Sequence, residues 1–193
     1  MKRLVLASRA LAASAASWAD IGIYGGGSVG KALMDLSCES DPACHLDKNA
    51  TAWKLYGGYR ITPVVGAELT YFKFGKFKGY EDLGATYGYA DVEFKARALG
   101  VGADFHFDLA PQWTADVHLG YARVKTTTDV SLVGVTVSAD GYKNTPYIGL
   151  EGGFRVAKGT LIRAGWDFTV AREPFTNADY HLNMFSVGAS YEF

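Results

Sequence analysis

The dominant pattern along the chain is alternation of apolar residues with polar or small ones, in segments of about ten residues separated by turns. Alternation with a period of two predicts β-strands that have one apolar and one polar face. Eight segments show it: 20–30, 51–61, 64–75, 90–107, 113–125, 142–156, 160–172 and 180–193. In the fourth segment, Phe94 and Ala96 have the opposite phase, which a bulge near Ala98 or the strand's exit from a membrane would explain.

The connections between these segments alternate strictly between short and long. Three are tight, at Thr62-Pro63, 108–112 and 157–159, and four are long and polar, at about 31–50, 76–89, 126–141 and 173–179. A barrel that crosses a membrane has this asymmetry, with short periplasmic turns and long external loops. We therefore expect an all-β fold, namely an eight-stranded antiparallel up-and-down transmembrane β-barrel, with both termini on the short-turn side.

One face of the segments carries large apolar residues, and the other carries charged ones. We predict that the charged face forms an ion-pair network in the lumen. Its members are Lys54, Arg60, Glu68, Asp104, Asp116, Glu151, Arg155, Arg163 and Asp167. The suggested pairs are Glu68 with Arg163, and Glu151 with Lys54 or Arg155.

Alternation alone does not exclude a soluble barrel, in which the charged face would point to water. Three features favour a charged lumen inside a lipid-facing wall. Small glycines recur on the charged face, aromatic residues concentrate at the ends of the apolar segments as in a membrane-interface girdle, and the signs of the charges are nearly balanced, as buried ion pairs require.

Length and charge narrow the class of protein further. A chain of 193 residues is enough for one domain, and a net charge of -1 gives no basic footprint for nucleic acid. The sequence contains no run of about 18 apolar residues, so we expect no transmembrane helix. A membrane location therefore requires a closed barrel, because open strand edges cannot be satisfied in lipid.

The N-terminus has the pattern of a cleaved secretory signal over residues 1–19. Lys2 and Arg3 precede an Ala-rich apolar run, and Ser17-Trp18-Ala19 is a suitable cleavage site, so the barrel would cover 20–193. In an exported protein, Cys38 and Cys44 predict a disulfide that closes a small loop, with free thiols as the alternative. The neighbouring His45 adds a third potential metal ligand without a fourth at a recognisable spacing, which is a weak signal.

With eight strands predicted, the chain resembles the transmembrane domain of the OmpA-like family of outer-membrane proteins over essentially all of 20–193. Four segments carry the resemblance: Thr51-Ala52-Trp53-Lys54-Leu55-Tyr56-Gly57-Gly58-Tyr59-Arg60, Glu68-Leu69-Thr70-Tyr71, Leu161-Ile162-Arg163-Ala164-Gly165-Trp166 and Ser186-Val187-Gly188-Ala189-Ser190-Tyr191-Glu192-Phe193. Many relatives have Glu where Gly165 stands, so an interior pair is expected to be missing or rearranged.

The resemblance implies export to the Gram-negative outer membrane. Its partners would be periplasmic chaperones, the barrel assembly machinery, outer-membrane lipid and lipopolysaccharide. The assembly machinery reads a terminal Phe with alternating apolar positions before it. Here that signal would be Phe185, Val187, Ala189, Tyr191 and Phe193. Because the chain ends at Phe193, we expect no peptidoglycan-binding domain and no wall-anchoring role.

Chemical motifs in the chain are weak. Gly25–Lys31 is close to a phosphate-binding loop, but Ala32 stands where Ser or Thr is required, and the expected helix is missing. A lipid A-modifying enzyme would need a Ser/His/acid set near the lipid face. The candidates are His106, His118 with Asp116, and His181 near Ser186. The sequence favours no enzyme, no cofactor and no metal.

Three roles remain after this reasoning. An eight-stranded lumen is normally filled by side chains, so a constitutive porin is not expected, although rearrangement of ion pairs could allow a narrow gated path. The external loops could bind host or surface ligands. We expect an integral outer-membrane protein with a structural role in envelope integrity and surface interaction or adhesion through its loops; a gated pore or, less favoured, a lipid A-modifying enzyme are the alternatives.

Overall fold

The computed structural model describes residues 22–35, 44–82, 89–132 and 135–193, and these residues form nine β-strands. The strands are β1 (Gly22–Met34), β2 (Cys44–Leu46), β3 (Asn49–Arg60), β4 (Val65–Asp82), β5 (Tyr89–Ala110), β6 (Trp113–Leu132), β7 (Val135–Ala157), β8 (Thr160–Arg172) and β9 (Asp179–Glu192). In this part of the chain no helix is long and apolar enough to cross a membrane.

Eight of the strands close into a ring. Sequence neighbours pair antiparallel from β3 through β9, β1 pairs with both β3 and β9, and the short β2 adds to the far end of β4. Pairing of β4 with β5 closes the ring between the two ends of the sheet order. The predicted fold class, an eight-stranded antiparallel up-and-down barrel, is confirmed. Closure satisfies every strand edge within the barrel wall, which is the condition for standing in lipid.

The two faces of the strands have the predicted polarity. Large apolar residues on the outside are exposed, including Val101 at 63% and Trp113 at 56%, whereas Lys54 on the inside is 3% exposed and Arg60 is 1% exposed. An apolar exterior over a charged interior inverts the arrangement of a soluble barrel. The outer surface of the barrel therefore faces lipid.

The three tight connections mark one end of the barrel, called the turn side below. In the first of them, the Thr62 hydroxyl accepts hydrogen bonds from the backbone N–H groups of Val64 and Val65 at 3.3 and 2.9 Å. In the third, Gly159 has a φ of 71°, a left-handed conformation that suits glycine. The opposite end, called the hairpin side, carries the longer connections.

Of the two explanations offered for the phase of Phe94 and Ala96, a bulge near Ala98 is not found. The register shift lies in the preceding strand β4, between Lys73 and Gly75, where Gly75 has a φ of 85°. β5 keeps a single phase, so Phe94 and Ala96 point inward. The bulge changes the phase of β4 beyond it, which turns Phe77 inward and Lys76 outward.

Two of the long connections are mostly paired strand rather than loop, which corrects the predicted boundaries. Within 76–89, β4 continues to Asp82 and β5 begins at Tyr89; within 126–141, β6 continues to Leu132 and β7 begins at Val135. The segment 31–50 includes the ends of β1 and β3 and all of β2. Residues 173–178 connect β8 to β9, and Asp179 is already the first residue of β9.

Candidate functional site

The centre of the barrel interior holds a buried lysine between two carboxylates. The Lys54 Nζ atom on β3 lies 2.5 Å from Glu151 Oε1 on β7 and 2.8 Å from Asp167 Oδ2 on β8. All three side chains are at most 4% exposed. Because charges removed from water need close partners, this contact ties three strands together across the lumen.

Two arginines extend the network toward the turn side. Arg163 Nη1 lies 2.7 Å from Asp116 Oδ2 and 3.4 Å from Glu151 Oε2, so Glu151 is shared with Lys54. Arg163 also donates to the hydroxyl oxygen of Ser190 at 2.7 Å. These contacts join the ion pairs around Lys54 and those nearer the turn side into one continuous cluster.

Arg60 occupies the end of the network nearest the turns. Its guanidinium lies 2.6 Å from Glu192 and 3.4 Å from Asp104, and it stacks over the Tyr24 ring at 5.0 Å. Glu192 was placed on the inner face by alternation but was not among the predicted network residues. Tyr24 was not singled out either, since a single Tyr in a glycine-rich segment gives no charge signal.

Two inward histidines complete the cluster. His106 Nδ1 lies 2.6 Å from Asp116 Oδ1. His118 Nδ1 lies 3.3 Å from Glu68 and 3.4 Å from Asp104. Glu68, Asp104 and His118 could hold a metal ion, because one ligand atom of each lies within 4.8 Å of the others.

The pairing partners differ from those suggested by the sequence in two places. Glu68 accepts hydrogen bonds from Tyr24 at 3.2 Å and Thr70 at 2.7 Å, and Arg163 is not among its described partners. Arg155 pairs with Asp108 at 3.2 Å on the turn side rather than with Glu151. Arg155 is thus a rim residue outside the central cluster.

Gly165 provides the space for this rearranged pairing. It lies directly opposite Glu151 in the β7–β8 register, and a Cβ atom at 165 would stand 2.6 Å from the Glu151 Cγ atom. A larger residue there would displace the Glu151 side chain. Here the carboxylate in this part of the lumen belongs to Glu151 on β7, and the glycine at 165 on β8 leaves room for it.

The charges in the cluster are less balanced than the whole inner face suggested. Six carboxylates stand against three permanently charged cations and two histidines. The acids are Glu68, Asp104, Asp116, Glu151, Asp167 and Glu192, and the bases are Lys54, Arg60, Arg163, His106 and His118.

The hairpin side of the lumen is apolar, which the sequence analysis missed. Phe72, Phe74, Phe77 and Phe94 are at most 5% exposed and pack with small and aliphatic residues of the other strands. Ring contacts join Phe72 to Tyr147 at 5.7 Å and Phe77 to Phe94 at 6.3 Å. The inward phase of Phe72 and Phe74 next to Thr70 is the signal that could have revealed this apolar zone.

The candidate catalytic histidines do not form a hydrolase-like site among the described residues. His106 and His118 contact carboxylates in the closed interior. His181 is on the outer face, stacked on Phe168 at 5.6 Å, whereas Ser186 is buried and bonded to Ser28. His181 and Ser186 therefore lie on opposite faces of β9.

The proposed assembly segment lies on the lipid-facing side of β9. Phe185, Val187, Tyr191 and Phe193 are 47–77% exposed, and the Phe193 N–H donates to the Ile23 carbonyl oxygen at 3.0 Å. Tyr191 and Phe193 are in edge-to-face contact at 4.9 Å. The Cys38–Cys44 disulfide and the signal segment 1–19 fall outside the described residues or side chains and stay predictions.

Comparisons with known proteins agree with this geometry. A family model described as an outer membrane protein beta-barrel domain matches residues 4–193. Neisserial surface protein A is similar at 15% identity with a TM-score of 0.60, over 89% of this chain and 97% of that one. Yersinia pestis Ail is similar at 18% identity with a TM-score of 0.57, over 90% of this chain and 100% of that one. The N-terminal barrel of Pseudomonas aeruginosa OprF is similar at 14% identity with a TM-score of 0.50, over 90% of this chain and 98% of that one. No curated protein matches.

Replacement of Lys54 by Met tests the buried cluster. It leaves Glu151 and Asp167 without their shared cation, so we expect the free energy of unfolding to fall by about 3–5 kcal/mol. The matched control, Arg155→Met, breaks a partly exposed rim pair and should cost about 1 kcal/mol or less. Urea unfolding in lipid vesicles, followed by tryptophan fluorescence, measures both, and equal losses would contradict a central role for Lys54.

Proposed function

The chain belongs to the outer membrane protein β-barrel family, and on this premise we propose that it is a non-conducting, non-enzymatic scaffold of the Gram-negative outer membrane. Its role is structural, and it binds surface ligands through the parts of its hairpins that stand outside the membrane. The observation that carries this proposal is the unequal length of the strands. β4 to β7 contain 18 to 23 residues, whereas β8, β9 and β1 contain 13 or 14.

The long strands continue as one sheet on the hairpin side. β4 pairs with β5 up to Asp82 and Tyr89, β5 pairs with β6 up to Ala90 and Leu132, and β6 pairs with β7 up to Leu132 and Val135. We call this four-stranded extension the outer wall. From Arg97 to Tyr89 it measures roughly 27 Å along the strand, at about 3.4 Å per residue.

The outer wall is held by ion pairs between its strands, on the side that faces water. Lys95 lies 2.7 Å from Glu93 and 2.6 Å from Asp129, and Lys76 lies 3.3 Å from Glu93. The hydrogen bonds from Lys95 hold the pKa values of Glu93 and Asp129 below their usual range. Both carboxyls are therefore charged at neutral pH, which gives the wall a polar, mixed-charge surface.

One edge of the outer wall offers backbone for pairing. β8 pairs with β7 only from Ile148 to Ala157, so the described residues include no strand partner for the outer edge of β7 before Ile148. Val135 and Val137 are 66% and 55% exposed there. Such an edge can accept an added strand from another protein. We take this edge as the binding element of the wall.

The filled interior argues against the two alternative functions. A conducting path would have to pass both the Lys54 cluster and the aromatic residues around Phe72, which are packed without exposure to solvent. An enzyme of the lipid face would need a nucleophile and a base together on the lipid-facing surface of the barrel, and His181 and Ser186 are on opposite faces of β9.

We also propose that Phe185, Val187, Ala189, Tyr191 and Phe193 form the signal for the assembly machinery, after export by the cleaved signal and passage with periplasmic chaperones. Their exposure on one face of the last strand supports this role, because a partner can reach them before the barrel closes. Lipopolysaccharide and the other lipids of the outer membrane would then surround this face.

Shortening the β6–β7 hairpin tests the binding role. Replacing 130–137 by Asn-Gly joins Asp129 to its neighbour Ser138 through a tight turn and removes the exposed valines of the β7 edge. We expect binding of the protein in nanodiscs to immobilised extracellular-matrix proteins to fall at least tenfold, because a protein partner can no longer add a strand to this edge.

The matched control shortens the other hairpin, with 79–92 replaced by Asn-Gly between the partners Lys78 and Glu93. This variant keeps the β7 edge and should keep most of the binding. Absence of binding by the unaltered protein, or equal loss in both variants, would contradict the proposal for the β7 edge.

Replacement of Phe193 by Ala tests the assembly signal. We expect several-fold less folded protein in the outer membrane of expressing cells, with unchanged refolding into detergent, because the signal acts on the assembly machinery and not on the finished fold. Leu109→Ala is the control, since Leu109 is also exposed on the turn side, at 66%. Normal surface levels of the Phe193 variant would exclude the signal role.

A further inference from the structure

The outer surface of β4, β5 and β6 carries a cluster of cations that the proposed function does not use. Lys73, Arg97 and Lys125 are direct partners in the register of the three strands, and Arg123 lies two residues along β6 from Lys125. All four point away from the lumen, between inward-facing neighbours such as Ala98 and Val124. We call these four residues the basic row.

Like charges in directly opposite positions of a sheet destabilise it. Within the basic row, Lys125 lies 2.6 Å from the Asp140 carboxylate, which Arg97 also attracts from a longer distance. Lys73 and Arg123 lie over aromatic rings, those of Trp53 at 5.9 Å and Tyr142 at 5.2 Å. In the described part of the chain, Lys73, Arg97 and Arg123 form no ion pair within 4.0 Å, and the single Asp140 carboxylate is shared between Lys125 and Arg97. The arrangement therefore favours an anion from outside the chain.

The height of the basic row places it at the lipid headgroups. Arg123 is ten residues from Trp113 along β6, and Arg97 is ten residues from Phe107 along β5. At about 3.4 Å per residue and a tilt of about 40°, this separation corresponds to roughly 26 Å, close to the height of about 25 Å of the apolar band in such barrels. The row thus lies at the outer boundary of the band.

The surface below the row is apolar. Leu99 is 53% exposed, Val101 is 63% exposed and Tyr121 is 65% exposed. A shallow groove of about 180 Å³ runs between Arg97 and Arg123 and is bordered by Leu99. Cations above an apolar strip match an amphiphile whose anionic headgroup stands above its acyl chains, and they do not match a soluble anion.

The rest of the barrel has no comparable cluster in its described residues. On the outward faces of β8, β9 and β1 the basic residues are Arg172, His181 and Lys31. Arg172 faces Asp179 at 3.2 Å, and His181 faces Asp35 at 3.8 Å. The basic row is therefore a local feature of one side and not a belt around the barrel.

We propose that the basic row is a binding site for a phosphorylated glycolipid of the outer leaflet, the lipid A part of lipopolysaccharide. The phosphates contact Lys73, Arg97 and Arg123, and the acyl chains lie along the apolar strip below. The site concerns lateral contact with lipid, so it stands or falls independently of ligand binding by the outer wall.

The test compares the unaltered full chain with the triple variant Lys73→Gln, Arg97→Gln and Arg123→Gln, both refolded in detergent micelles. Titration with bisphosphorylated lipid A, followed by native mass spectrometry, gives the dissociation constants. We expect an increase of about 100-fold in the triple variant, because each near-surface Lys or Arg contributes roughly fivefold to binding of an anionic lipid.

The charge-matched control is Lys31→Gln, Lys48→Gln and Lys158→Gln, three exposed lysines outside the row. It should change the dissociation constant by less than threefold, and an equal loss would overturn the proposal in favour of non-specific attraction. Lipid A without phosphates should bind weakly, and so should a glucosamine bisphosphate without acyl chains. Equal binding of the first would exclude phosphate recognition, and equal binding of the second would exclude a lipid site.

Folding of each variant is checked by its faster migration on unboiled gels. Should the triple variant fail this check, Arg97→Gln alone serves, since Arg97 is exposed and has no ion pair among the described residues. The single variant should weaken binding of lipid A about fivefold, and an unchanged dissociation constant would overturn the proposal.

Discussion

Closure of the sheet at eight strands is the constraint on which the other features depend. A barrel of this size has an interior just wide enough for its own side chains. The chain fills it in two ways, with ion pairs around Lys54 and Arg163 toward the turn side, and with aromatic rings around Phe72 on the hairpin side. Both fillings are buried, and both link strands that are not neighbours in the sheet.

Burying the charged side chains costs desolvation free energy, which the fold offsets by letting one carboxylate contact two basic side chains. A single ion removed from water costs several kcal/mol, and one partner seldom repays it. Glu151 therefore contacts both Lys54 and Arg163, and Asp116 contacts both Arg163 and His106. A shared carboxylate couples several strands, so the interior favours one rigid arrangement. That rigidity suits a support for the outer wall.

Much of the fold can be predicted from the sequence alone, because successive side chains of a strand point alternately into the lumen and out of the barrel. It put Lys54, Arg60 and Glu151 on the inner face, where the structure has them. Alternation does not give the partner, which depends on height and strand tilt. Arg155 shares the inner face with Glu151 but stands beside Asp108 at the rim.

Two further differences between the expected and the observed strands concern the apolar hairpin side of the lumen and the length of β4 to β7. The opposite phase of Phe94 was ascribed to a bulge or to the strand's exit from the membrane, whereas it reflects apolar residues that fill the hairpin side of the lumen. The outer wall has water on its outer face, so at 126–129 polar residues alternate with polar ones and the strand signal disappears. Pairing with neighbouring strands, and not hydrophobic contrast, keeps these segments extended.

The central claim is that the lumen is sealed by its own side chains, and ionic conductance measures this most directly. Single molecules of the refolded full chain are inserted into a planar bilayer in concentrated KCl at neutral pH, with insertion verified by protease protection. We predict a current equal to that of the bare bilayer. Stable stepwise openings in most insertions would contradict it.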